Sequence, residues 1–339
     1  MPSSRDLHLA GLCVDAQHQS DQIRFSSLTS TEHSGIPVGR LAPSPTGVLH
    51  VGNARTFLLA WLMVRSRGGI VRMRIEDIDG PRIKPRADIE TLELLAWLGL
   101  DWDLEVWWQT HRTAAYSSAV ARLIAAGLAY PCICSRQEVL EAASAPHETE
   151  FDALPYPGTC RGRFGSVAEA ESATGRPAAL RFRVDAAARP FHDGFRGPEL
   201  GRVAGDFVIH KRDGGHAYQL AVVVDDAAMG VTEVLRGEDL LHSTPRQLLL
   251  YEALGLPVPR FLHVPLVVGD DGRKLSKRHG ESTLAGLRAA GWSAGRIVGL
   301  LARLCGLVPP GVELAPKDLI AGFRLESVPR GSVELRTST

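Results

Sequence analysis

Long hydrophobic runs are missing from this chain of 339 residues. Its longest uninterrupted apolar stretch, 57–64, has eight residues, whereas a membrane-spanning helix needs roughly 20. No basic segment followed by an apolar one opens the sequence, as a secretory signal would. Cysteine is also scarce, and five residues do not make a disulfide framework in a chain of this size. Together these absences predict a cytoplasmic protein without membrane contacts.

An excess of charge of either sign is absent too. The chain has 38 basic and 38 acidic residues, and a zero balance argues against a protein that coats nucleic acid non-specifically, which needs a clearly basic surface. Only five of the basic residues are lysines, yet Lys274 and Lys277 share one short loop. Contacts with nucleic acid are therefore expected only at local patches.

The order of the predicted elements indicates an α/β fold. A strand over 38–42 is followed by a helix that carries the apolar run, a strand over 70–75 and a helix over 87–98. Strands and helices that alternate at this spacing are typical of a doubly wound parallel sheet. The pattern loosens over 118–217, which we interpret as an insertion outside the sheet.

Regular patterning then resumes in the second half of the chain. The predicted features are a buried apolar run over 220–224, a strand over 231–235, a helix over 246–253 and a strand over 263–268. Short helices are expected to follow. The first 37 residues are polar and aperiodic, and we predict that 1–37 is a disordered extension.

A proline-rich turn follows the first predicted strand, within the segment RLAPSPTGVLHVGN over 40–53. A helix N-terminus after a parallel strand presents unpaired N–H groups, which suit a phosphate. Gly47 and Gly52 permit close approach of a nucleotide, and His50 can donate to a phosphate oxygen. A Walker loop is excluded because Asn53 and Ala54 replace the required Lys and Ser or Thr. Taken alone, a segment of this kind is more often a structural turn than a binding site.

A second polar loop has the sequence DGRKLSKR over 271–278. Two lysines in such a loop can hold a polyphosphate and stabilise the charge of a departing pyrophosphate. The alternative is a solvated basic loop without function.

Three cysteines cluster in the predicted insertion. Cys132, Cys134 and Cys160 lie within 29 residues, and in a reducing compartment this spacing suggests structural Zn²⁺. A tetrahedral site needs a fourth ligand, for which Tyr156 and His147 are the candidates. The alternative is a group of thiols without metal.

Taken together, the two polar segments resemble the signatures of class I aminoacyl-tRNA synthetases: the His-x-Gly turn over 50–52 and the Lys-Leu-Ser-Lys loop over 274–277. The sequence RIEDID over 74–79 is similar to the glutamyl-tRNA synthetase subgroup. The resemblance covers about 38–279. It implies a Rossmann-type catalytic core that adenylates L-glutamate with ATP.

The resemblance also implies roles for individual residues. His50 and Lys277 would be catalytic and would stabilise phosphate charge together with Mg²⁺, and Glu76 would bind the ammonium group of glutamate. The complete glutamate site would comprise Arg40, Leu41, Ala42, Pro43, Ser44, Glu76, Tyr218 and Arg236. ATP would contact His50, Gly52, Asn53, Lys274, Ser276 and Lys277. Two arginines and one glutamate complement the two carboxylates and the ammonium group of the substrate.

The pattern C-x-C with Y-x-x-x-C resembles the zinc site of one truncated branch of this family, and this resemblance favours Tyr156 as the fourth ligand. Members of that branch activate glutamate without tRNA and transfer it to queuosine at the wobble position of tRNA(Asp). Only 62 residues follow Lys277, and no anticodon-binding domain is expected in them. The protein is expected to act as a monomer.

The resemblance assigns a role to each segment of the chain. Residues 38–117 and 218–285 would be the two halves of the catalytic domain, and 118–217 an inserted acceptor-binding-like subdomain with the zinc site. Residues 286–339 would form a short helical appendix.

Three alternatives remain. A shortened enzyme could charge the acceptor end of tRNA(Glu), or the chain could be a catalytically silent synthetase-like binding protein. Retention of the site residues Arg40, His50, Glu76, Arg236 and Lys277 counts against a silent protein. Another ligase that adenylates carboxylates would not require both Glu76 and Arg236.

Overall fold

The computed structural model describes residues 35–78, 80, 83–142, 156–273, 275 and 282–335. The extension predicted over 1–37 lies outside this part of the chain, apart from its last three residues. The same is true of four candidate site residues: His147, Lys274, Ser276 and Lys277. The expectations for these residues stay predictions.

Strands and helices alternate at the start of the described chain. In order they are β1 (Val38–Leu41), α1 (Val51–Arg65), β2 (Ile70–Ile75), α2 (Ala87–Trp97) and β3 (Trp107–Trp108). β2 pairs in parallel with β1 on one side and with β3 on the other. Each connection between paired strands contains a helix, as parallel pairing requires. The parallel sheet predicted here is confirmed.

An antiparallel region interrupts this alternation. It contains a 3-10 helix (Gln109–Arg112) followed by α3 (Thr113–Ala125), β4 (Ala129–Cys132), α4 (Arg136–Ala142), α5 (Val167–Thr174), β5 (Ala179–Phe182), β6 (Phe191–Asp193), β7 (Gly197–Glu199) and β8 (Phe207–His210). β5 pairs antiparallel with β4 and β8, and β6 pairs antiparallel with β7. This change of strand direction explains why the α/β pattern loosens in the sequence.

The remaining elements return to parallel pairing. They are α6 (Tyr218–Ala228), β9 (Glu233–Gly237), a 3-10 helix (Glu238–Ser243), α7 (Thr244–Ala253), β10 (Arg260–Val264), β11 (Val267–Val268), α8 (Leu284–Ala289), α9 (Ala294–Leu304), 3-10 helices at Pro316–Leu319 and Leu325–Ser327, and β12 (Val333–Glu334). β9 and β10 are parallel, as are β11 and β12.

Hydrogen bonds place β9 beside β1. The backbone N–H of Thr232 donates to the carbonyl of Val38 at 2.9 Å, and the Thr232 hydroxyl accepts from the Val38 N–H at 2.9 Å. The two parallel groups thus meet between β1 and β9, where the chain order of a Rossmann-type core changes direction.

The apolar run over 220–224 lies in helix α6, and its first four residues are buried as predicted. One expectation differs in detail from the structure. The strand predicted over 263–268 is divided between β10 and β11. Pro265 stands at the break, where it cannot donate a backbone hydrogen bond.

Apolar faces hold these elements together. The largest cluster surrounds α1 and includes α9, and a second cluster joins α3 to α6 and α7. The antiparallel region therefore shares a core with the second half of the chain. Among the described helices, none has the length and apolar character needed to cross a bilayer.

Candidate active site

A cavity of about 700 Å³ lies at the carboxyl ends of the parallel strands. Its lining includes residues within two positions of the ends of four strands: Ala42 after β1, Glu76 after β2, Asp239 after β9 and Leu266 after β10. Ligands of open α/β sheets bind in the crevice at this edge, where the strand order reverses. The fold therefore gathers residues from distant parts of the sequence around one cavity.

Most of the site residues predicted from the sequence line this cavity. They are Arg40, Ala42, Pro43, Ser44, His50, Gly52, Asn53, Glu76, Tyr218 and Arg236. Lys274, Ser276 and Lys277 lie outside the described residues, but Leu275 between them also lines the cavity. Leu275 thus borders the same cavity as the turn that contains His50.

The expectation for the Leu41 side chain is corrected by the structure. Successive side chains of a strand point to opposite faces of the sheet, and in β1 Arg40 faces the cavity. Leu41 is therefore directed into the hydrophobic core, where it is fully buried and does not line the cavity.

Arg40 is held in the cavity wall by two groups from the second half of the chain. Its Nη1 donates to the carbonyl of Leu235 in β9 at 3.3 Å. Its Nε lies 3.5 Å from Oδ1 of Asp226 in α6. Because Arg40 is itself in β1, these contacts fix its guanidinium at the junction between the two halves of the sheet.

Glu76 is supported by a buried ion-pair network. Arg74 in β2 donates from Nη2 to Oε1 of Glu76 at 2.9 Å and from Nη1 to Oδ1 of Asp226 at 2.6 Å. Burial raises the pKa of Glu76, although Arg74 and Arg40 oppose the shift. Burial opposes the charge of Arg74 as well, yet Asp226, Glu76 and Asp225 raise its pKa well above the ordinary value. Arg74 opens the RIEDID motif, but neither Arg74 nor Asp226 was among the predicted site residues. The two are far apart in the sequence, and only the fold brings them together.

Arg236 has two of its three guanidinium nitrogens bound by the protein. Nε donates to Nε2 of His263 at 2.9 Å, and Nη2 donates to the Thr244 hydroxyl at 2.9 Å. The buried Nη1 has no hydrogen-bond partner among the described residues. Burial lowers the pKa of Arg236, with Tyr218 opposing the shift and Arg40 adding to it. An anion in the cavity would therefore meet a cation that the protein has left partly uncompensated.

Tyr218 completes this polar wall at the start of α6. Burial, with the nearby Glu76 carboxylate, raises the pKa of Tyr218 to about 12. Its hydroxyl therefore keeps its proton at neutral pH and can donate a hydrogen bond.

His50 forms the N-cap of α1 and borders the cavity. Its Nδ1 accepts the backbone N–H of Asn53 at 3.3 Å. A neutral imidazole that accepts at Nδ1 carries its proton on Nε2, and this is the form that can donate to a phosphate. A Cβ atom at Gly52 would lie 3.2 Å from two atoms of the His50 ring, so glycine leaves the ring its space.

The three clustered cysteines meet next to Tyr156. Their Sγ atoms all lie within 4.8 Å of one another, and Cys134 and Cys160 are 3.5 Å apart. The Tyr156 hydroxyl lies 3.2 Å from Sγ of Cys132 and 3.5 Å from Sγ of Cys134. Neighbouring thiolates on tetrahedral Zn²⁺ lie roughly 3.8 Å apart, given bonds of about 2.3 Å. The donor set and its spacing therefore fit a metal ion of this size.

A buried arginine supports the cysteine cluster from one side. Nε of Arg181 lies 3.2 Å from Sγ of Cys132, and its guanidinium stacks over the Tyr156 ring at 3.8 Å. Burial opposes ionisation of Cys132, but Arg181 and the hydrogen bond from Tyr156 lower its pKa overall. Arg181 thus favours the thiolate, which is the form of cysteine that binds a metal.

Comparison with known proteins identifies the family of this fold and site. The family model for tRNA synthetases class I (E and Q), catalytic domain, matches residues 38–311. A Glutamyl-Q tRNA(Asp) synthetase of Symbiobacterium thermophilum is 49% identical over 311 residues, which are 89% of this chain and 96% of the relative. Another from Nitratidesulfovibrio vulgaris is 44% identical, over 86% of this chain and 93% of the relative.

Glutamate–tRNA ligases are similar over a smaller share of their own length. The ligase of Geobacter sulfurreducens is 41% identical over 85% of this chain, and the match spans 61% of the ligase. A crystal structure of a glutamate tRNA ligase from Elizabethkingia meningosepticum, in complex with its amino acid, superposes with a TM-score of 0.75 and 27% identity over 89% of this chain and 67% of the ligase. This chain belongs to the class I tRNA synthetases of the glutamate and glutamine group and, within it, to the Glutamyl-Q tRNA(Asp) synthetases.

Proposed function

We propose that this protein activates L-glutamate with ATP in the absence of tRNA and transfers the glutamate to queuosine at the wobble position of tRNA(Asp). The observation that carries the proposal is the shared cavity in which Arg40, Glu76 and Arg236 lie beside His50. The charges of these side chains match those of a dicarboxylic amino acid. The His-x-Gly turn places the N-terminus of α1 beside the same cavity. The names of the most similar relatives supply the tRNA and its modified base.

Glutamate is held by charge complementarity. Arg40 and Arg236 bind its carboxylates, and Glu76 binds its ammonium group, in a wall completed by Tyr218. Ala42, Pro43 and Ser44 border the same space after β1. Each of these ion pairs forms in a buried setting, where charge-assisted hydrogen bonds are stronger than in water.

Activation is an in-line displacement at the α-phosphorus of ATP, which enters as its Mg²⁺ complex. A carboxylate oxygen of glutamate attacks, the bond from the α-phosphorus to the bridging oxygen breaks, and pyrophosphate leaves with the bond's electrons. His50 and the N-terminus of α1 stabilise the negative charge that develops. Gly52 and Asn53 contact the nucleotide from the same turn.

The loop with Lys274, Ser276 and Lys277 contributes the remaining phosphate contacts. Lys277 stabilises the departing pyrophosphate, and Lys274 and Ser276 bind the triphosphate. This assignment rests on the motif and on Leu275, which lines the cavity.

Transfer requires a hydroxyl of the queuosine cyclopentenediol ring. This hydroxyl attacks the carbonyl carbon of glutamyl-adenylate, an ester forms, and AMP leaves. The activated anhydride supplies the driving force, and we assign no general base to the protein.

Cys132, Cys134, Tyr156 and Cys160 would hold Zn²⁺ in a structural role. The bound ion would stabilise the contact between the end of β4 and the segment that contains Tyr156 and Cys160. These four residues belong to the region 118–217, which binds tRNA as the inserted subdomain between the catalytic halves 38–117 and 218–285. Residues 286–339 form the helical appendix, and the enzyme acts as a cytoplasmic monomer.

Glutamate-dependent exchange of pyrophosphate into ATP, measured without tRNA, tests the activation step. The wild-type protein should catalyse exchange, and Lys277→Ala should reduce it at least about 100-fold, because one aimed cation is lost from the transition state. Lys317→Ala is a matched control, since Lys317 is exposed in a 3-10 helix that does not line the cavity. Normal exchange by Lys277→Ala would contradict the role of Lys277.

The similarity to glutamate–tRNA ligases favours one second candidate function. In that case the product would carry glutamate at the acceptor end of tRNA(Glu). Removal of the 3′-terminal adenosine of the tRNA separates the two functions, because it destroys the acceptor end and leaves the queuosine diol untouched. Blocked product formation with a destroyed 3′ end and an intact queuosine diol would support the second function.

A further inference from the structure

Arg236 belongs to a buried chain of polar groups that extends away from the cavity. Its Nε and Nη2 atoms are bound, Nη1 has no partner among the described residues, and the residue lines the cavity. The Thr244 hydroxyl lies 3.2 Å from Nε2 of His263, so Arg236, Thr244 and His263 form a closed triangle. All three side chains are buried. Such a triangle restricts both the position and the rotation of the guanidinium plane.

His263 can complete the triangle only in one protonation form. Nε2 must be unprotonated, because it accepts the N–H of Arg236. The proton is therefore on Nδ1, which donates to Oδ2 of Asp193 at 2.6 Å. Burial lowers the pKa of His263 to about 4, against the opposing hydrogen bond to Asp193, and this agrees with a neutral ring. The ring also stacks on Phe261, which lies below the Arg236 guanidinium.

Asp193 is anchored by its own backbone environment. Its Oδ1 accepts the N–H groups of Phe195 at 2.9 Å, Arg196 at 2.8 Å and His263 at 3.2 Å. Oδ2 is thereby left to bind the imidazole. Asp193 ends β6 in the antiparallel region, whereas His263 is in β10 of the parallel core. One fully buried carboxylate thus connects the two regions to Arg236.

We propose that Asp193 and His263 are positioning residues for recognition of the amino acid. Asp193 selects the tautomer of His263, and His263 fixes the Arg236 guanidinium so that Nη1 can bind a carboxylate of the substrate. The proposal rests on the proposed function, because it takes that substrate to be glutamate. Neither residue lines the cavity, and neither takes part in the chemical step.

Asp193→Asn reverses the tautomer while it preserves the shape of the side chain. The amide oxygen must stay on the three backbone N–H groups, so the amide nitrogen faces His263 and donates to Nδ1. The proton of His263 then moves to Nε2, where it meets the N–H of Arg236, donor against donor. The same substitution beside a catalytic histidine has this consequence in serine proteases. Arg236 must turn away, and glutamate loses an aligned partner.

The test measures the KM values for glutamate and for ATP in pyrophosphate exchange. We expect Asp193→Asn to raise the KM for glutamate at least about tenfold, because it leaves a buried donor unpaired. The KM for ATP should change less than about twofold. His263→Phe keeps the stacked ring, removes the acceptor and should have the same effect. A melting curve for each variant identifies those that are folded.

Asp206→Asn is the matched control. Asp206 is also a buried aspartate of the antiparallel region, bound to Tyr130 and Arg161, and it does not line the cavity. This variant should lose thermal stability without a selective change in the KM for glutamate. If Asp206→Asn raised the KM for glutamate as much as Asp193→Asn does, any loosening of the antiparallel region would be enough to raise this KM. That result would overturn the proposal.

Different results would overturn the proposed function and the positioning role. If the wild-type protein catalyses no glutamate-dependent exchange, the proposed function is overturned and the positioning role falls with it. If the wild-type protein is active and folded Asp193→Asn and His263→Phe keep the wild-type KM for glutamate, only the positioning role is overturned.

Discussion

Charged side chains meet in the interior of this protein beside the cavity. Arg74 and Asp226 are fully buried and Glu76 is nearly so. Removing such charges from water costs several kcal/mol for each ion, and pairing offsets that cost only when the geometry is good. Arg74 and Asp226 are therefore better explained by the orientation that they impose on Glu76 and Arg40 than by a contribution to the free energy of unfolding.

Glu76→Gln tests this explanation at the scale of one residue. The variant keeps the shape of the side chain but removes the negative charge that faces the ammonium group of glutamate. We expect the KM for glutamate to rise about 10-fold to 100-fold, since hydrogen bonds to charged groups contribute about 1.5–3 kcal/mol. The KM for ATP should stay within about twofold in pyrophosphate exchange.

Glu252→Gln provides the comparison for a carboxylate outside the site. Glu252, on α7, forms an exposed ion pair with Arg189. Exposed ion pairs contribute little to the free energy of unfolding. Its kinetic constants should match those of the wild-type protein. A normal KM for glutamate in Glu76→Gln would mean that Glu76 does not bind the ammonium group.

At the scale of elements, the cysteine cluster shows how a local motif becomes a site. Cys132 and Cys134 lie at and just beyond the end of β4, and Tyr156 and Cys160 come from a separate segment. Within the described residues no helix or strand includes both segments, yet their side chains converge. A metal ion would supply the missing crosslink, because small regions with modest cores are often stabilised in this way.

The zinc assignment predicts one ion per chain in protein purified without chelators, measured by elemental analysis. Chelation should lower the melting temperature, because binding to the folded state adds stability that is lost with the ion. Cys134→Ser should lose the zinc, whereas Cys305→Ala should keep it, since Cys305 is buried in the core at the end of α9.

Tyr156→Phe distinguishes the two candidates for the fourth ligand. It should weaken zinc binding measurably if Tyr156 is a ligand, because Phe offers no oxygen. Unchanged zinc content and affinity in this variant would exclude Tyr156 and leave His147 as the candidate. Absence of any bound metal in the wild-type protein would contradict the assignment as a whole.

Elements were predicted from the sequence where one local pattern determined them. The first two strands and the first two helices have clear periodicity and end at glycine-rich turns, and the structure has them at nearly the same residues. The division of the strand after Arg260 was missed because Pro265 interrupts pairing inside an apolar run. The cavity residues of the first half were found because they lie in the contiguous segments 40–53 and 74–79, whereas Tyr218 and Arg236 were indicated only by the family resemblance.

The supporting network could not be predicted in the same way. Arg74 pairs with Asp226, and Arg236 depends on Asp193 through His263. No periodicity or motif connects positions so far apart in sequence, and their contacts exist only after β1, β9 and β10 have assembled. Asp225 and Asp226 did carry one signal, since two adjacent acidic residues inside an otherwise apolar helix need buried partners.

At the scale of the whole molecule, one cavity depends on three parts of the chain. The first half supplies Arg40, His50 and Glu76, and the second half supplies Tyr218 and Arg236. The antiparallel region reaches the same site indirectly, because Asp193 fixes the partner of Arg236. We therefore expect the residues that activate glutamate to be coupled, through these contacts, to the region that places the tRNA.

The position at which glutamate is attached to the tRNA can be measured directly. Radiolabelled glutamate, ATP and the wild-type protein are incubated with two preparations of tRNA(Asp), one with queuosine and one with unmodified guanosine at the wobble position. Label should enter only the queuosine-containing tRNA, and ribonuclease cleavage should place it in the anticodon fragment. Label at the 3′ end, or equal labelling of both preparations, would show that glutamate is not transferred to queuosine.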